Sequence, residues 1–146
     1  MLNKKGVSGV IALQSSLEHQ EMSYPDADNA LRGLGFTLGG NWDYTSGCFD
    51  CALNEEQTSW LRLPFRVVSG TLDAEQKARD TFIRFGTPYG LRHLPTKEND
   101  PEARLRITGA LVDQFQDPAD PDAPVDPLTE HLARERLRAA EEALLQ

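Results

Sequence analysis

The sequence predicts an α+β fold: a mostly antiparallel sheet with one N-terminal and one C-terminal helix, in the order β-α-β(several)-α. Between residues 34 and 94, short segments alternate apolar and polar side chains, a period of two that is typical of strands. Helical periodicity is clear only near the two ends, over residues 23–34 and 128–145. Strands and helices do not alternate along the chain, which disfavours a doubly wound parallel sheet.

Size and charge restrict the class of protein. The 146 residues, 39% of them hydrophobic, predict a single globular domain over 1–146. The formal net charge of −8 argues against nucleic acid or an anionic membrane as a main partner, because binding to phosphates needs a positive surface. The sequence shows no signal peptide and no apolar run of about 20 residues. With only two cysteines, it favours a cytoplasmic location.

The N-terminal part predicts one strand and one helix. Residues 10–13 are β-prone. Ser23 is a suitable N-cap for a helix over 23–34, with Pro25 in its first turn. Gly35 stands where a left-handed residue would end that helix.

The central region predicts several strands. Trp42 and Tyr44 would share one strand face, and a polar turn at 54–57 would close the next hairpin. Residues 58–70 alternate most regularly, with Leu61, Leu63, Phe65 and Val67 on one face and Trp60, Arg62, Pro64 and Arg66 on the other. Pro64 lacks an N–H group, so this strand is expected at a sheet edge or to be bulged at Pro64.

The C-terminal half is less regular. Strands are predicted over 81–85 and 89–94, whereas 105–115 fits a strand or a helix. Residues 117–127 hold several prolines and aspartates and predict a surface loop that leads into the helix 128–145. A leucine stripe on that helix would dock on its own sheet or pair two chains into a homodimer; it comprises Leu128, Leu132, Leu137, Leu144 and Leu145.

Arginine and aromatic side chains form the candidate binding surface. Guanidinium groups bind carboxylate and phosphate, and aromatic rings stack on planar ligands. The candidate ligand-binding residues are Trp42, Tyr44, Trp60, Arg62, Arg66, Arg84, Arg92 and His93. The alternative is a solvated sheet face whose arginines pair with the more numerous acidic residues.

Three other motifs give weaker evidence of a functional site. Cys48 and Cys51 are three residues apart in a predicted strand, so they would face opposite sides, one buried and one exposed, as ordinary thiols. The glycine-rich segment 33–40 lacks the phosphate-loop pattern, and the aspartates of 117–126 lack the spacing of a calcium loop. We predict no metal site, no cofactor and no assigned catalytic residue.

Several segments together resemble the YugN-like family, small proteins mainly from Firmicutes with no assigned function. They are Ser15-Ser16-Leu17-Glu18, the block from Leu34 to Tyr44 with its Gly-Asn-Trp-Asp-Tyr sequence, Leu61-Arg62-Leu63-Pro64, Gly86-Thr87-Pro88 leading to Leu91-Arg92-His93, and the block from Leu111 to Gln116. The resemblance implies a small cytosolic α+β domain and assigns no catalytic residue.

The sequence thus predicts a non-enzymatic cytosolic module that binds a small anionic ligand or a partner on its arginine and aromatic face, with a homodimer as one form. The alternative is a small enzyme for an anionic metabolite, with arginine anchors and His93 or Asp43 as the acid or base.

Overall fold

The computed structural model describes residues 9–72, 80–93 and 125–145. These residues form an α+β fold, as predicted. The strands are β1 (Gly9–Ala12), β2 (Glu21–Ser23), β3 (Thr37–Leu38), β4 (Ser46–Ala52), β5 (Ser59–Ser69), β6 (Phe82–Phe85) and β7 (Tyr89–Arg92), and the helices are α1 (Tyr24–Arg32) and α2 (Pro127–Leu144).

The described strands form one sheet in which every pairing is antiparallel. Its order is β1-β7-β5-β4-β3, and β6 pairs with both β2 and β5. The eleven-residue strand β5 is therefore the centre of the sheet. It contacts β4 along one side and β7 and then β6 along the other.

The prediction that β5 is an edge strand is wrong, and the position of Pro64 explains how a central strand accommodates proline. Pro64 accepts a hydrogen bond from the Gly86 N–H at 2.8 Å. The nitrogen and the carbonyl of a strand residue point toward the same edge. The missing N–H therefore faces the connection between β6 and β7, where no ladder bond is required. The irregularity in β5 lies farther along, between Val67 and Ser69.

Helix α1 begins and ends close to the predicted residues. The Ser23 hydroxyl accepts the Asp26 N–H at 3.2 Å, as an N-cap does, and Pro25 lies in the first turn. The helix ends at Arg32, and Gly35 has a positive φ of 95° in the turn that follows. The short strand β2, directly before the helix, has no counterpart among the predictions.

The two helices contact each other, and a continuous apolar core lies between them and the sheet. Tyr24 of α1 stacks on Phe49 of β4 at a centroid distance of 5.6 Å, and Phe49 contacts Phe65 at 5.1 Å. On this face Leu61, Leu63 and Phe65 are buried as predicted, and Val67 packs partly against the core. Ile83 and Phe85 of β6 are buried beside them. The opposite face of the sheet carries Arg62 and the candidate site.

The predicted leucine stripe of α2 is only partly right, because of its five leucines Leu137 alone is buried and Leu144 packs partly against the core. The buried residues of the helix are Thr129, Ala133, Leu137 and Ala140. The side chain of Leu128 is 63% exposed. The helix lies close to the sheet, and small residues therefore face it. A Cβ atom added to Gly90 of β7 would lie only 3.4 Å from the Cβ of Ala133. No helix among the described residues is long and apolar enough to cross a membrane.

The remaining predicted elements have different outcomes. The strand expected at Trp42 and Tyr44 is wrong, because residues 41–45 form turns and bends before β4. The strand-or-helix segment 105–115 and most of the loop 117–127 lie outside the described residues.

Candidate functional site

A cleft of about 760 Å³ lies on the sheet face opposite the helices, and we call it the arginine cleft. Its described lining comprises His19, Asn41, Asp43, Thr45, Ser46, Gly47, Cys48, Arg62, Pro64, Phe65, Arg66, Arg84, Phe85, Gly86 and Tyr89. Three of the four arginines of the predicted site are among these residues.

Strand register brings those three arginines together. Arg62 and Arg66 are four residues apart on β5 and share one face. Arg66 lies directly opposite Arg84 of β6, and Arg62 lies opposite Tyr89 of β7. The contacts across β5–β6 and β5–β7 join residues far apart in sequence.

Arg62 is at the floor of the cleft and is not a solvated cation. Its side chain is 0% exposed, and its Nε donates to Asp50 Oδ1 at 2.7 Å across the β4–β5 register. A Cβ on Gly39 would approach Asp50 Oδ2 to 2.5 Å and the Arg62 guanidinium to 3.3 Å, so only glycine fits beside this ion pair. The pairing of Arg62 with an acidic residue agrees with the alternative prediction, but the solvent exposure predicted for this face is wrong at Arg62.

Cys48 and Tyr89 lie beside that ion pair. Burial raises the pKa of the Cys48 thiol, and the Arg62 guanidinium only partly opposes the shift. Burial is also the main cause of the raised pKa of Tyr89. Both groups are therefore neutral at physiological pH. A neutral, buried thiol is a poor nucleophile, which leaves Cys48 as part of the packed floor.

Arg66 and Arg84 form the exposed cationic part of the cleft. Arg84 donates to Glu21 Oε2 from Nε at 2.9 Å and from the terminal nitrogen at 2.6 Å. Arg66 has no ion-pair partner among the described residues. In the part of the chain that the structure describes, this face therefore presents one paired guanidinium and one without an ion-pair partner side by side.

Asp43 supplies a carboxylate to the same cleft. Its Oδ1 accepts the backbone N–H of Thr45 at 2.8 Å and of Ser46 at 2.9 Å, which closes a tight turn. The hydrogen bonds from Thr45 and Ser46 lower the pKa of Asp43. Asp43 is therefore ionised at neutral pH and is a weak base.

Arg92, although predicted as a ligand-binding residue, lies on the helix face of the sheet. It is opposite Ser59, which alternates with Trp60 along β5. The Arg92 guanidinium donates to Asp126 Oδ1 at 2.7 Å at the start of α2. The Ser59 and Thr129 hydroxyls form a 3.0 Å hydrogen bond on the same face. Arg92 therefore supports helix α2 and is not part of the arginine cleft.

The remaining predicted residues are also outside the described lining of the cleft. Trp60 shares a face with Arg62, but its indole N–H donates to the Gln57 carbonyl at 3.0 Å. His93 follows β7, where burial lowers its pKa. Tyr44 is 68% exposed, and Trp42 packs partly against the core.

Sequence reasoning missed several lining residues. His19 borders the cleft with a positive φ of 73°, and its N–H donates to the Phe85 carbonyl at 2.8 Å. No local pattern places it there. The alternation of β4 could have placed Cys48 on the face of Arg62. Tyr89 required the β5–β7 register, which no short segment reveals.

Thiol and metal chemistry find little support. Cys48 and Cys51 lie on opposite faces of β4, as predicted, but both are buried, so the expected exposed thiol is wrong. Within residues 9–72, 80–93 and 125–145, no three His, Cys, Asp or Glu side chains are grouped so that they could hold a metal ion.

Comparisons with known proteins place the chain in one group of relatives. The model of the YugN-like family matches residues 12–144. Uncharacterized protein YugN of Bacillus subtilis (strain 168) is 28% identical over 137 residues, which cover 93% of this chain and 99% of that protein. The crystal structure of an uncharacterized conserved protein YugN from Geobacillus kaustophilus HTA426 aligns with a TM-score of 0.65 and 19% identity. It covers 92% of this chain and 95% of that one, and at this identity the likeness shows the fold.

Proposed function

Starting from the premise that this chain belongs to the YugN-like family, we propose that it is a non-enzymatic module that binds a small anion in the arginine cleft. The ligand carries a carboxylate or a phosphate, and the guanidinium of Arg66 is its main anchor. The observation that carries this proposal is the availability of Arg66, which lines a concave site without an ion-pair partner among the described residues.

The pairing of Arg66 with Arg84 supports an anion at this position. Like charges that lie directly opposite on neighbouring strands are destabilising. Glu21 compensates one of the two charges through its bonds to Arg84. A bound anion beside Arg66 would compensate the other, and a guanidinium can hold carboxylate or phosphate through two parallel hydrogen bonds.

The floor of the cleft supports binding through rigidity. The Arg62 side chain is wholly buried beside Asp50, so it offers no exposed group to a ligand. Its role in this proposal is to hold β4 and β5 in register beneath Arg66. The neutral Cys48 and Tyr89 add no charge that would oppose an anion.

The catalytic alternative has less support. The lowered pKa of Asp43 makes it a weak base, and His93 lies outside the described lining of the cleft. General acid–base catalysis needs groups within hydrogen-bond reach of one substrate.

The homodimer and the cytoplasmic location stay predictions. Sedimentation or light scattering would test the homodimer.

The proposal is tested by NMR titration of the ¹⁵N-labelled chain with inorganic phosphate and with propionate. We expect both anions to shift the amide signals of Ser46, Gly47 and Gly86, which line the cleft. Arg66→Ala should weaken binding about tenfold, the usual scale for loss of a hydrogen bond to a charged group.

Arg138→Ala is the matched control. Arg138 is an exposed arginine of α2, on the other side of the sheet, and its loss changes the net charge equally. Equal weakening by the two variants would reject the proposal and indicate a general charge effect. An absence of anion-dependent shifts in the cleft of the wild-type chain would reject it as well.

A further inference from the structure

Asp43 and Arg66 place opposite charges in the same cleft without pairing with each other. Both side chains are exposed, and both line the cleft. Among the described residues neither has an ion-pair partner. Two available charges of opposite sign at one concave site can be complemented together by a ligand that carries both signs.

The strand register limits how far apart these two charges lie. Asp43 Oδ1 accepts the Ser46 N–H at 2.9 Å, and Ser46 lies directly opposite Arg66 in the β4–β5 register. Opposed residues of an antiparallel pair have Cα atoms about 5 Å apart. The carboxylate of Asp43 and the long side chain of Arg66 are therefore within the span of one small molecule.

The charge balance of the cleft also favours a ligand that carries both a positive and a negative charge. Among the described residues, three arginines line the cleft, and three carboxylates accompany them: Asp50 beside Arg62, Glu21 beside Arg84, and Asp43 in its turn. A dianion such as phosphate would add two negative charges to a balanced site. A zwitterion adds none and satisfies both of the available groups.

Resting on the function proposed above, we infer that the ligand is a small amino acid or a similar zwitterion. Its carboxylate pairs with Arg66, and its ammonium group pairs with Asp43. The hydrogen bonds that lower the pKa of Asp43 keep it ionised, and therefore ready for an ammonium group, throughout the physiological range.

The test compares matched ligands by ¹⁵N NMR titration of the whole chain. Glycine, β-alanine and 4-aminobutyrate are each paired with the carboxylate that lacks the amine: acetate, propionate and butyrate. We expect at least one amino acid to bind about two- to fivefold more tightly than its match, the scale of one exposed ion pair. The ligand length at which the added amine strengthens binding most then measures the separation of the Asp43 and Arg66 charges.

Asp43→Asn is the diagnostic variant. Asparagine keeps the Oδ1 acceptor for the N–H groups of Thr45 and Ser46, so the turn is retained while the charge is lost. The advantage of the amino acid over its match should disappear, and propionate should bind at least as tightly as to the wild type because a nearby negative charge is removed. Asp43→Ser, which also retains a side-chain acceptor, is the second variant and should give the same result.

Three results would overturn the inference: no amino acid binds more tightly than its match, phosphate binds most tightly of all, or Asp43→Asn keeps the amino acid preference. Each of these leaves anion binding at Arg66 intact. Failure of the proposed function is distinguishable, because then simple carboxylates would not shift the cleft amides or would bind equally well to Arg66→Ala.

Discussion

Arg62 and Asp50 form a 2.7 Å ion pair across the two central strands, with the arginine side chain wholly buried. The pair lies directly in register, so it ties β4 to β5 beneath the arginine cleft. Burial raises the pKa of Asp50 in spite of the neighbouring guanidinium, which indicates how costly an isolated charge would be there. The main role of the pair is therefore to stabilise the fold, and any effect on a ligand is indirect.

Arg62→Ala should lower the free energy of unfolding by about 3–5 kcal/mol, because it leaves the Asp50 carboxylate buried without its cation. Urea denaturation followed by circular dichroism measures this. In the double variant Asp50→Leu/Arg62→Leu no buried charge remains, and most of the loss should be recovered. A single variant as stable as the wild type would contradict a buried pair.

Gly39→Ala should destabilise the chain by about 1–3 kcal/mol, the usual cost of overpacking. The added methyl group would meet Asp50 Oδ2 at 2.5 Å, and Asp50 cannot move away without straining its bond to Arg62. Gly40→Ala is the control, since a Cβ there has nothing within 4 Å. Equal urea midpoints for the two variants would show that the pair does not lie against Gly39.

Leu137→Ala should lower the free energy of unfolding by about 2–4 kcal/mol, because Leu137 is buried against the core. Leu128→Ala, the same change at an exposed residue of α2, should have an effect within about 0.5 kcal/mol. Denaturation of both variants shows which members of the predicted leucine stripe pack against the core. A large loss for Leu128→Ala would instead point to a surface that another chain covers.

Asp126→Asn should reduce stability at neutral pH and have less effect in acid. Burial alone would raise the pKa of Asp126, but its bonds to Thr129 and Arg92 outweigh burial and lower it. A carboxyl whose folded pKa is lowered stabilises the fold above its unfolded value of about 3.9, and this contribution is lost as pH falls through the folded pKa. Asparagine keeps one acceptor oxygen for the N-cap bond but cannot replace both carboxylate oxygens, so only the pH-dependent part of the difference reports on the charge.

The measurement for Asp126→Asn is the free energy of unfolding from pH 3 to pH 7. At pH 7 the variant should have a free energy of unfolding about 0.5–1.5 kcal/mol below that of the wild type, the scale of an ion pair and a helix-dipole contact together. This difference in stability should become smaller below about pH 4. A gap that stays constant across this range would mean that the Asp126 charge does not contribute.

The elements set by local chemistry were predictable from the sequence. The Ser23 cap, the Gly35 turn and the two faces of β5 follow from side-chain types at short spacing, and all three agree with the structure. The family resemblance was also carried by short blocks of sequence. These features need no knowledge of which strands are neighbours.

The candidate site depended on long-range pairing, which short patterns do not reveal. Arg84 meets Arg66 only because β6 adds to β5, whereas Arg92 turns to the helix face because β7 pairs Arg92 with Ser59. The burial of Arg62 depends on Asp50 from the neighbouring strand. Asp43 joins the site through a turn where the sequence predicted a strand.

The most direct test of anion binding observes the guanidinium groups themselves. In the ¹⁵N-labelled chain, the arginine Nε–H signals are assigned by single substitution and followed during titration with propionate. We predict a saturable shift of the Arg66 signal, with a smaller shift of Arg84 and none of Arg138. An Arg66 signal that does not move, or that moves no more than Arg138, would contradict the account.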